Sequence, residues 1–364
     1  MACSPSERAG ETSTVETSTV ETSSGEPESR STTTAARPSS PNIEIVVHVS
    51  IDGLRSVDVV ADVAPTLARL AAEGTSTLNA RTDADNTSTL PNHISQLTGR
   101  PVNGPDGHRV EANDADIDTV HRQKGSYIAS VFDVVHDHGL ATSAFVSKEK
   151  MSVIDRSWNE TTGAPDVTGS DEGNDKIDEF LYGEADLVAN AATMLLARAQ
   201  SGYVFVHLQD PDVAGHADDW GSEAYLDVVK ATDLLVAMIL DEVEANPDLA
   251  GRVALLVTSD HGGTPDGAGH GRSGVASNFT IPMILWGPGI GPSGDLYALN
   301  NGVRTDPESS NPSIGASEPG SPIRGHDAAN IVLDLLGLPA VPGSSFNAEQ
   351  NLALGSRRSV LNSP

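Results

Sequence analysis

Cysteine is almost absent from this sequence, and basic residues and long apolar runs are also scarce. The 364 residues include one cysteine, Cys3, which excludes an internal disulfide and a cysteine-based zinc site. No apolar run reaches the roughly 18 residues of a membrane-spanning helix, so none is predicted. Lysine and arginine number 22 against 51 acidic residues, which gives a formal net charge of −29. A surface of this charge repels nucleic acid and anionic lipid, so we expect no binding to nucleic acid polymers.

Large apolar side chains are nearly missing from residues 1–41. This segment is rich in serine, threonine and glutamate, and it repeats the pentapeptide Glu-Thr-Ser-Thr-Val at residues 11–15 and 16–20. Such a composition cannot bury enough surface to offset the entropy of ordering, so residues 1–41 are predicted to form a disordered tether.

The position of Cys3 allows two interpretations. A cysteine after a small residue is typical of the processed end of a bacterial lipoprotein, but the apolar region that normally precedes it is absent. Either the chain begins at the processed end and a lipid on Cys3 anchors it to a membrane, or Cys3 is incidental. The first interpretation predicts an extracytoplasmic location, in the periplasm or at the cell surface.

What the sequence does contain is a recurring pattern of apolar runs that end in aspartate or histidine. Such runs are typical of buried strands in a parallel sheet, where ligand groups gather at the carboxyl ends of the strands. The runs, with the polar residues that follow them, are 46–51 before Asp52, 203–208 before Asp212 and His216, and 253–258 before Asp260 and His261.

Helical patterns alternate with these runs along the chain. The alternation predicts an α/β fold with a doubly wound, mostly parallel central sheet and helices on both faces. One domain over residues 42–345 and a C-terminal tail at 346–364 are expected, with a glycine- and aspartate-rich insertion at 160–178. The predicted helices cover 65–73, 130–138, 185–199, 222–245 and 327–336.

The histidines divide by their positions in these elements. His48 and His207 lie inside strands and are predicted to be packed core residues, whereas His136 and His138 lie in a helix and are predicted to face solvent. His216, His261 and His270 follow strand ends in glycine-containing loops. Carboxylate and imidazole groups without thiolate suit zinc or a similar divalent ion, so these strand ends predict a site for two metal ions.

A hydroxyl residue, Thr89, precedes the next predicted helix. Pro91 suits the first turn of that helix, so Thr89 would lie at its N-terminus, where hydroxyls commonly serve as caps. The same position offers backbone amides to an anion and therefore suits a nucleophile that faces a phosphate. His93, in the following turn, is expected to support it.

Taken in order, these motifs resemble the alkaline phosphatase superfamily, and within it the type I phosphodiesterase/nucleotide pyrophosphatase branch, over residues 43–338. The resemblance implies an alkaline phosphatase-like fold and two divalent metal ions, most simply Zn²⁺. It implies that one ion is held by Asp52, Asp260, His261 and the Thr89 oxygen, and the other by Asp212, His216 and a third histidine.

Two site assignments depend on details of this sequence as well as on the resemblance: a donor to the phosphoryl group and the third histidine ligand. It suggests Asn113 as a donor to a phosphoryl oxygen, although Arg109 stands where the family usually has glycine. Two residues are candidates for the third histidine. His326 precedes the last helix, where packing or capping is an ordinary role, whereas His270 lies in a glycine-flanked loop just after His261. We therefore predict His270.

The function that follows is a two-metal phosphoesterase that hydrolyses phosphodiester or nucleotide pyrophosphate bonds of a small substrate through a phosphothreonine on Thr89. One alternative is a phosphomonoesterase of the same superfamily, and another is a non-catalytic, surface-tethered binding protein on this fold. A classical sulfatase is excluded, because threonine cannot become the formylglycine aldehyde that sulfatases use.

Overall fold

A computed structural model gives the structure of the chain and describes residues 43–166, 173–265, 269–272, 274–292, 294–307 and 321–355. The predicted tether, including Cys3, and residues 356–364 of the predicted tail lie outside these ranges. None of the helices in the described ranges has the length and apolar character to cross a bilayer.

The described residues are organised around an eight-stranded sheet with the order β4-β3-β5-β1-β6-β7-β2-β8. Strand β1 pairs in parallel with β5 and β6, and β3 pairs in parallel with β4 and β5. Strand β7 is the exception, because it pairs antiparallel with both β6 and β2. The strands are β1 (Ile45–Ile51), β2 (Thr75–Arg81), β3 (Ala141–Val146), β4 (Glu179–Tyr182), β5 (Gly202–Leu208), β6 (Val253–Thr258), β7 (Thr280–Trp286) and β8 (Gly294–Asp295).

Helices cover both faces of this sheet, and each face has its own apolar core. One core contains apolar side chains of α2, α4, α5 and α11, and the other contains those of α1, α6 and α8. The helices are α1 (Pro65–Glu73), α2 (Thr89–Thr98), α3 (Val120–Lys124), α4 (Val131–Asp137), α5 (Val153–Trp158), α6 (Ala185–Leu196), α7 (Asp210–Asp218), α8 (Glu223–Ala245), α9 (Ala276–Phe279), α10 (Leu296–Leu299) and α11 (Ala328–Leu336).

The predicted doubly wound, mostly parallel sheet with helices on both faces is confirmed. Two details differ from the prediction. His216 lies on helix α7 rather than in a loop. The packing also continues beyond residue 345, because Phe346, Leu352 and Leu354 are buried, the two leucines in the same core as α11.

Strand β1 holds helix α2 in place against the sheet. Its alternate residues from Ile45 to Ile51 are apolar and join the core beneath α1 and α8, as the two-residue period of a strand requires. The opposite face carries the buried polar residues His48 and Ser50. Ser50 meets His93 of α2 at 2.9 Å, so a polar contact fixes the helix that begins with Thr89 against the central strand.

Candidate metal centre and active site

Two sets of side chains meet at the carboxyl edge of the sheet, and each has ligand atoms within 4.8 Å of one another. The first set is fully enclosed and is called the buried group below. The second set includes one side chain that is more than half exposed and is called the exposed group. The buried group consists of Asp52, Asp260 and His261, and the exposed group consists of Asp212, His216 and His270.

The ends of two adjacent strands position the buried group. Asp52 directly follows β1, and Asp260 and His261 follow β6, its parallel neighbour. Gly53 makes the turn after β1 with φ of +71°, and a Cβ there would lie 2.9 Å from the Cα of Asp212. Its amide also donates to Asp260 Oδ1 at 3.0 Å. A side chain at position 53 would therefore push the two groups apart.

Helix α7 and the loop after β6 position the exposed group. Asp212 and His216 are four residues apart on α7 and so lie on the same side of it, with 3.4 Å between Oδ1 and Nε2. His270 Nδ1 donates to the Thr87 carbonyl at 2.6 Å, which leaves Nε2 directed at His216 Nε2, 3.2 Å away. Trp220 contacts both imidazoles edge-on, with ring centroids at 4.9 and 5.7 Å.

The two groups are in direct contact with each other. The rings of His261 and His270 stack with centroids 3.6 Å apart and planes inclined by 7°. His261 Nε2 is also 3.8 Å from Asp212 Oδ1. Two ions held by these groups would therefore be close neighbours.

The hydrogen bonding of the three carboxylates fits divalent ions. Each carboxylate uses one oxygen for protein donors: Asp52 Oδ2 and Asp212 Oδ2 bind Lys148, and Asp260 Oδ1 binds the Gly53 amide. The other oxygen of each is buried without a hydrogen-bond partner. Buried charged oxygens are costly unless a cation or donor meets them, so this arrangement matches oxygen ligands of a metal.

The imidazoles fit the same interpretation. His261 Nδ1 donates to the Gly262 carbonyl at 2.9 Å, as His270 Nδ1 does to Thr87, and such bonds fix Nε2 as the free ligand atom. Burial lowers the pKa of His261, and it lowers that of His270 to about 2, so both rings are neutral. Neutral imidazole is the form that binds metals.

The protein environment shifts the pKa values of Asp260 and Asp52 in opposite directions. Burial and the neighbouring carboxylates Asp52 and Asp212 raise the pKa of Asp260 well above its usual range. Burial opposes ionisation of Asp52 as well, but the Lys148 ammonium and the nearby imidazoles hold its pKa well below the usual range. Positive charge in the buried group would relieve the repulsion at Asp260.

Thr89 begins α2 and faces the buried group. Its Oγ1 lies 3.5 Å from His261 Nε2, and the residue is 1% exposed, so its hydroxyl is buried rather than on the surface. His93 Nδ1 donates to the Thr89 carbonyl at 2.9 Å, the supporting role expected of it. Asn113 Oδ1 accepts the Leu90 amide at 2.9 Å, which brings the asparagine beside the nucleophile candidate.

The structure separates the two candidates for the third histidine. His270 lies in the exposed group. His326 is buried elsewhere, with Nε2 3.1 Å from Asp83 Oδ2 and its ring stacked on Phe346 at 4.5 Å. Arg109 adopts φ of +63°, a conformation that favours the glycine usual in the resembled family.

Sequence reasoning missed two residues of the site and misjudged one histidine. Lys148 and His207 both contact Asp52 Oδ2, at 2.7 and 3.3 Å, so His207 is not merely a core residue. Both lie near the carboxyl ends of strands, β3 and β5, which is the signal that could have found them. His136, expected to face solvent, is buried with Nδ1 3.2 Å from Asp166 Oδ1.

Comparison with known proteins identifies the family of this chain. The family model for type I phosphodiesterase / nucleotide pyrophosphatase matches residues 46–266, more than half of the chain. The chain belongs to that family. The matched range contains Thr89 and every member of the buried group, and within the exposed group only His270 lies beyond it.

A curated relative matches a shorter part of this family member. GPI ethanolamine phosphate transferase 1 of Saccharomyces cerevisiae is 30% identical over 121 residues, which is 32% of this chain and 13% of that protein. The chain thus aligns with only a small part of that relative's length.

Solved structures share the fold of this family member. A protein of the alkaline phosphatase superfamily from Vibrio parahaemolyticus has a TM-score of 0.58 at 14% identity, with 86% of this chain and 71% of that chain covered. Murine ectonucleotide pyrophosphatase/phosphodiesterase 5, as an inactive variant in complex with AMP, has a TM-score of 0.57 at 14% identity, with 85% of this chain and 99% of that chain covered. The C-terminal periplasmic domain of EptC from Escherichia coli has a TM-score of 0.51 at 14% identity, with 82% of this chain and 83% of that chain covered. The fold is therefore alkaline phosphatase-like.

Proposed function

We propose that this protein is a two-metal phosphodiesterase that hydrolyses small phosphodiesters or nucleotide pyrophosphates through a covalent intermediate on Thr89. The observation that carries the proposal is the set of three buried, unpartnered carboxylate oxygens beside Thr89. The family match supports phosphoester chemistry, and the AMP bound to the murine relative of similar fold supports a nucleotide substrate.

The residues of the chain have separate roles in this proposal. The buried group, with Thr89 Oγ1, holds one divalent ion, and the exposed group holds the other. Zn²⁺ is the ion we propose, because the ligands are imidazole and carboxylate. Bound ions would lower the pKa of the attacking hydroxyl and stabilise the leaving oxygen.

Thr89 performs the covalent step. Its oxygen forms a bond to phosphorus as the bond to the leaving alcohol breaks, and the intermediate on Thr89 keeps the second ester group of a diester substrate. Water then releases the phosphoryl group. The Thr89 backbone amide, at the start of α2, and the Asn113 side-chain amide are the donors we assign to the phosphoryl oxygens, since helix N-termini favour anions.

A diester fits this site better than a monoester. The cation beside the carboxylates, Lys148, already contacts two of them and so is engaged in their hydrogen bonding. A dianionic monoester needs more positive charge around its terminal oxygens than a monoanionic diester does. The phosphomonoesterase is therefore the runner-up.

The test is a comparison of turnover by zinc-loaded protein on a chromogenic phosphodiester, the matched phosphomonoester and the matched sulfate ester. We expect the highest kcat/KM on the diester and none above background on the sulfate. A higher kcat/KM on the monoester would replace the proposal with the runner-up. Turnover of none of the esters would favour the non-catalytic binding protein.

A second candidate is phosphoryl transfer to an alcohol, which the match to the yeast ethanolamine phosphate transferase favours. The same Thr89 intermediate would be released to an alcohol instead of water. Turnover of the diester in the presence of an alcohol acceptor distinguishes the two, because transfer yields a new diester and hydrolysis yields only the monoester.

The location we propose is extracytoplasmic. The E. coli domain of similar fold is periplasmic by its description, and a lipid on Cys3 would provide an anchor. Mass spectrometry of natively expressed protein tests the anchor: an unmodified Cys3 would rule it out.

A further inference from the structure

Lys148 is the one side chain in the described residues that hydrogen-bonds a carboxylate of each metal group. Its Nζ is 2.7 Å from Asp52 Oδ2, in the buried group, and 2.6 Å from Asp212 Oδ2, in the exposed group. The side chain is only 14% exposed. Charge-assisted hydrogen bonds of this length in a water-poor site fix both partners strongly.

The backbone beneath Lys148 is itself fixed. The preceding residue, Ser147, donates from Oγ to the His207 carbonyl at 2.8 Å and accepts the Gln209 amide at 2.8 Å. These bonds attach the end of β3 to the end of β5. Lys148 therefore extends across β5 from a rigid base to reach Asp52 and Asp212.

The oxygens that Lys148 binds are not the ones left open for metal. Asp52 Oδ1 is 3.5 Å from His261 Nε2, and Asp212 Oδ1 is 3.4 Å from His216 Nε2, so the unpartnered oxygens face the imidazoles. Lys148 holds the opposite oxygen of each carboxylate. It can thus remain in place while ions bind, with the carboxylates between it and the ions.

We propose that Lys148 is a positioning residue shared by both metal groups, which turns Asp52 Oδ1 and Asp212 Oδ1 towards their ions and couples the two sites through one ammonium. The inference rests on the proposed two-metal function. Without this ammonium, Asp212 loses the donor that orients it and Asp52 keeps only the contact with His207, at 3.3 Å. The three carboxylates of the site would then repel one another with no resident cation between them.

The test is a zinc titration by calorimetry of the metal-free protein and three variants, with competition by a chelator for tight sites. Lys148→Met keeps an unbranched side chain, one atom shorter, and removes its charge. We expect its affinity for both ions to fall by about 10- to 100-fold, the usual effect of losing an outer-shell partner. Lys148→Arg should recover part of the affinity at both sites.

Lys150→Met is the matched control. Lys150 lies two residues further along the same segment and is partly buried, and its charge interacts with Asp52 and Asp212 without the hydrogen bonds that Lys148 makes to them. We expect the zinc affinities of this variant to stay close to those of the wild type. Thermal unfolding of each metal-free variant shows whether it is folded. If Lys148→Met does not fold, the zinc affinities of Lys148→Arg still test the role of Lys148.

The outcomes separate this inference from the proposed function. Wild-type protein that binds no zinc would overturn the two-metal function itself. Wild-type protein that binds two ions while Lys148→Met binds both equally well would overturn only the role of Lys148. Tighter binding by Lys148→Met would mean that the lysine competes with the ions, and weakening at one site alone would mean that it does not couple them; either result overturns the inference.

Discussion

The buried group and the exposed group use the same kinds of ligand but differ in what holds them. The buried group is attached to the ends of two paired strands, and its members are at most 1% exposed. The exposed group combines a helix with a loop, and the His216 side chain is 54% exposed. The sheet therefore sets the geometry of the first group, whereas the second depends on how α7 and the His270 loop pack against it.

This difference predicts different behaviour towards metal. Ligands fixed by strand ends lose little conformational freedom on binding an ion, whereas an exposed histidine must be ordered by it. We therefore expect the buried group to hold its ion more tightly and the exposed group to exchange its ion more readily.

The largest effect should come from Thr89→Ala, which removes the proposed nucleophile next to the buried group. We expect kcat on a phosphodiester to fall by about 10³-fold or more, as for other nucleophile deletions. Zinc content should stay at two ions per chain, because the carboxylates and imidazoles remain. Thr89→Ser should keep a measurable part of the activity, and comparable turnover in Thr89→Ala would refute the covalent mechanism.

The next prediction compares His261→Ala with His216→Ala. His261 is fully buried and stacked on His270, so its loss should lower zinc affinity of the buried group by more than about 100-fold and destabilise the metal-free protein by about 2 kcal/mol. His216→Ala should lower affinity of the exposed group by about 10-fold, since water can fill an open position, and change stability by less than about 0.5 kcal/mol. Calorimetry measures the zinc affinities and chemical denaturation measures the stabilities. Equal losses in the two variants would contradict the difference between the buried and exposed groups.

His270→Ala and His326→Ala test which histidine completes the exposed group. His270 lies 3.7 Å from Asp212 Oδ1, whereas His326 pairs with Asp83. We expect His270→Ala to lower zinc affinity at one site by about 10- to 100-fold and His326→Ala to leave both sites unchanged. Loss of zinc from the His326 variant alone, measured by metal analysis after gel filtration, would show the assignment to be wrong.

The smallest effect concerns the rate of metal removal. With a chelator in excess, zinc should leave in two phases. The faster phase should belong to the exposed group, because the His216 imidazole is open to solvent. In His216→Ala the fast phase should become faster by several-fold while the slow phase is unchanged. A single phase in the wild type would mean that the two groups release their ions together.

The same contrast explains what could be predicted from the sequence. Asp52, Asp260 and His261 follow strands whose apolar runs are unmistakable, and parallel strands place their carboxyl ends at one edge. Sequence alone could not show that β7 runs antiparallel, because its apolar pattern has no direction. Nor could it show that Lys148 reaches Asp212, since that contact depends on how β3 and β5 are joined across the sheet.

His270 illustrates the limit more closely. Its glycine-flanked loop indicated a return to the strand ends, and the structure brings it to Asp212 and His216. The bond that directs it there, from Nδ1 to the Thr87 carbonyl, comes from a segment 183 residues earlier. No local pattern encodes such a partner.

Trp220 gives the exposed group a natural optical reporter. Its indole lies edge-on to His216 and His270, and its Nε1 donates to the Gly53 carbonyl at 3.0 Å. The chain has three tryptophans, so the emission of this one can be isolated by replacing Trp158 and Trp286 with phenylalanine. A paramagnetic ion such as Co²⁺ at these imidazoles should quench Trp220 fluorescence, so the binding of ions beside this indole can be followed in real time.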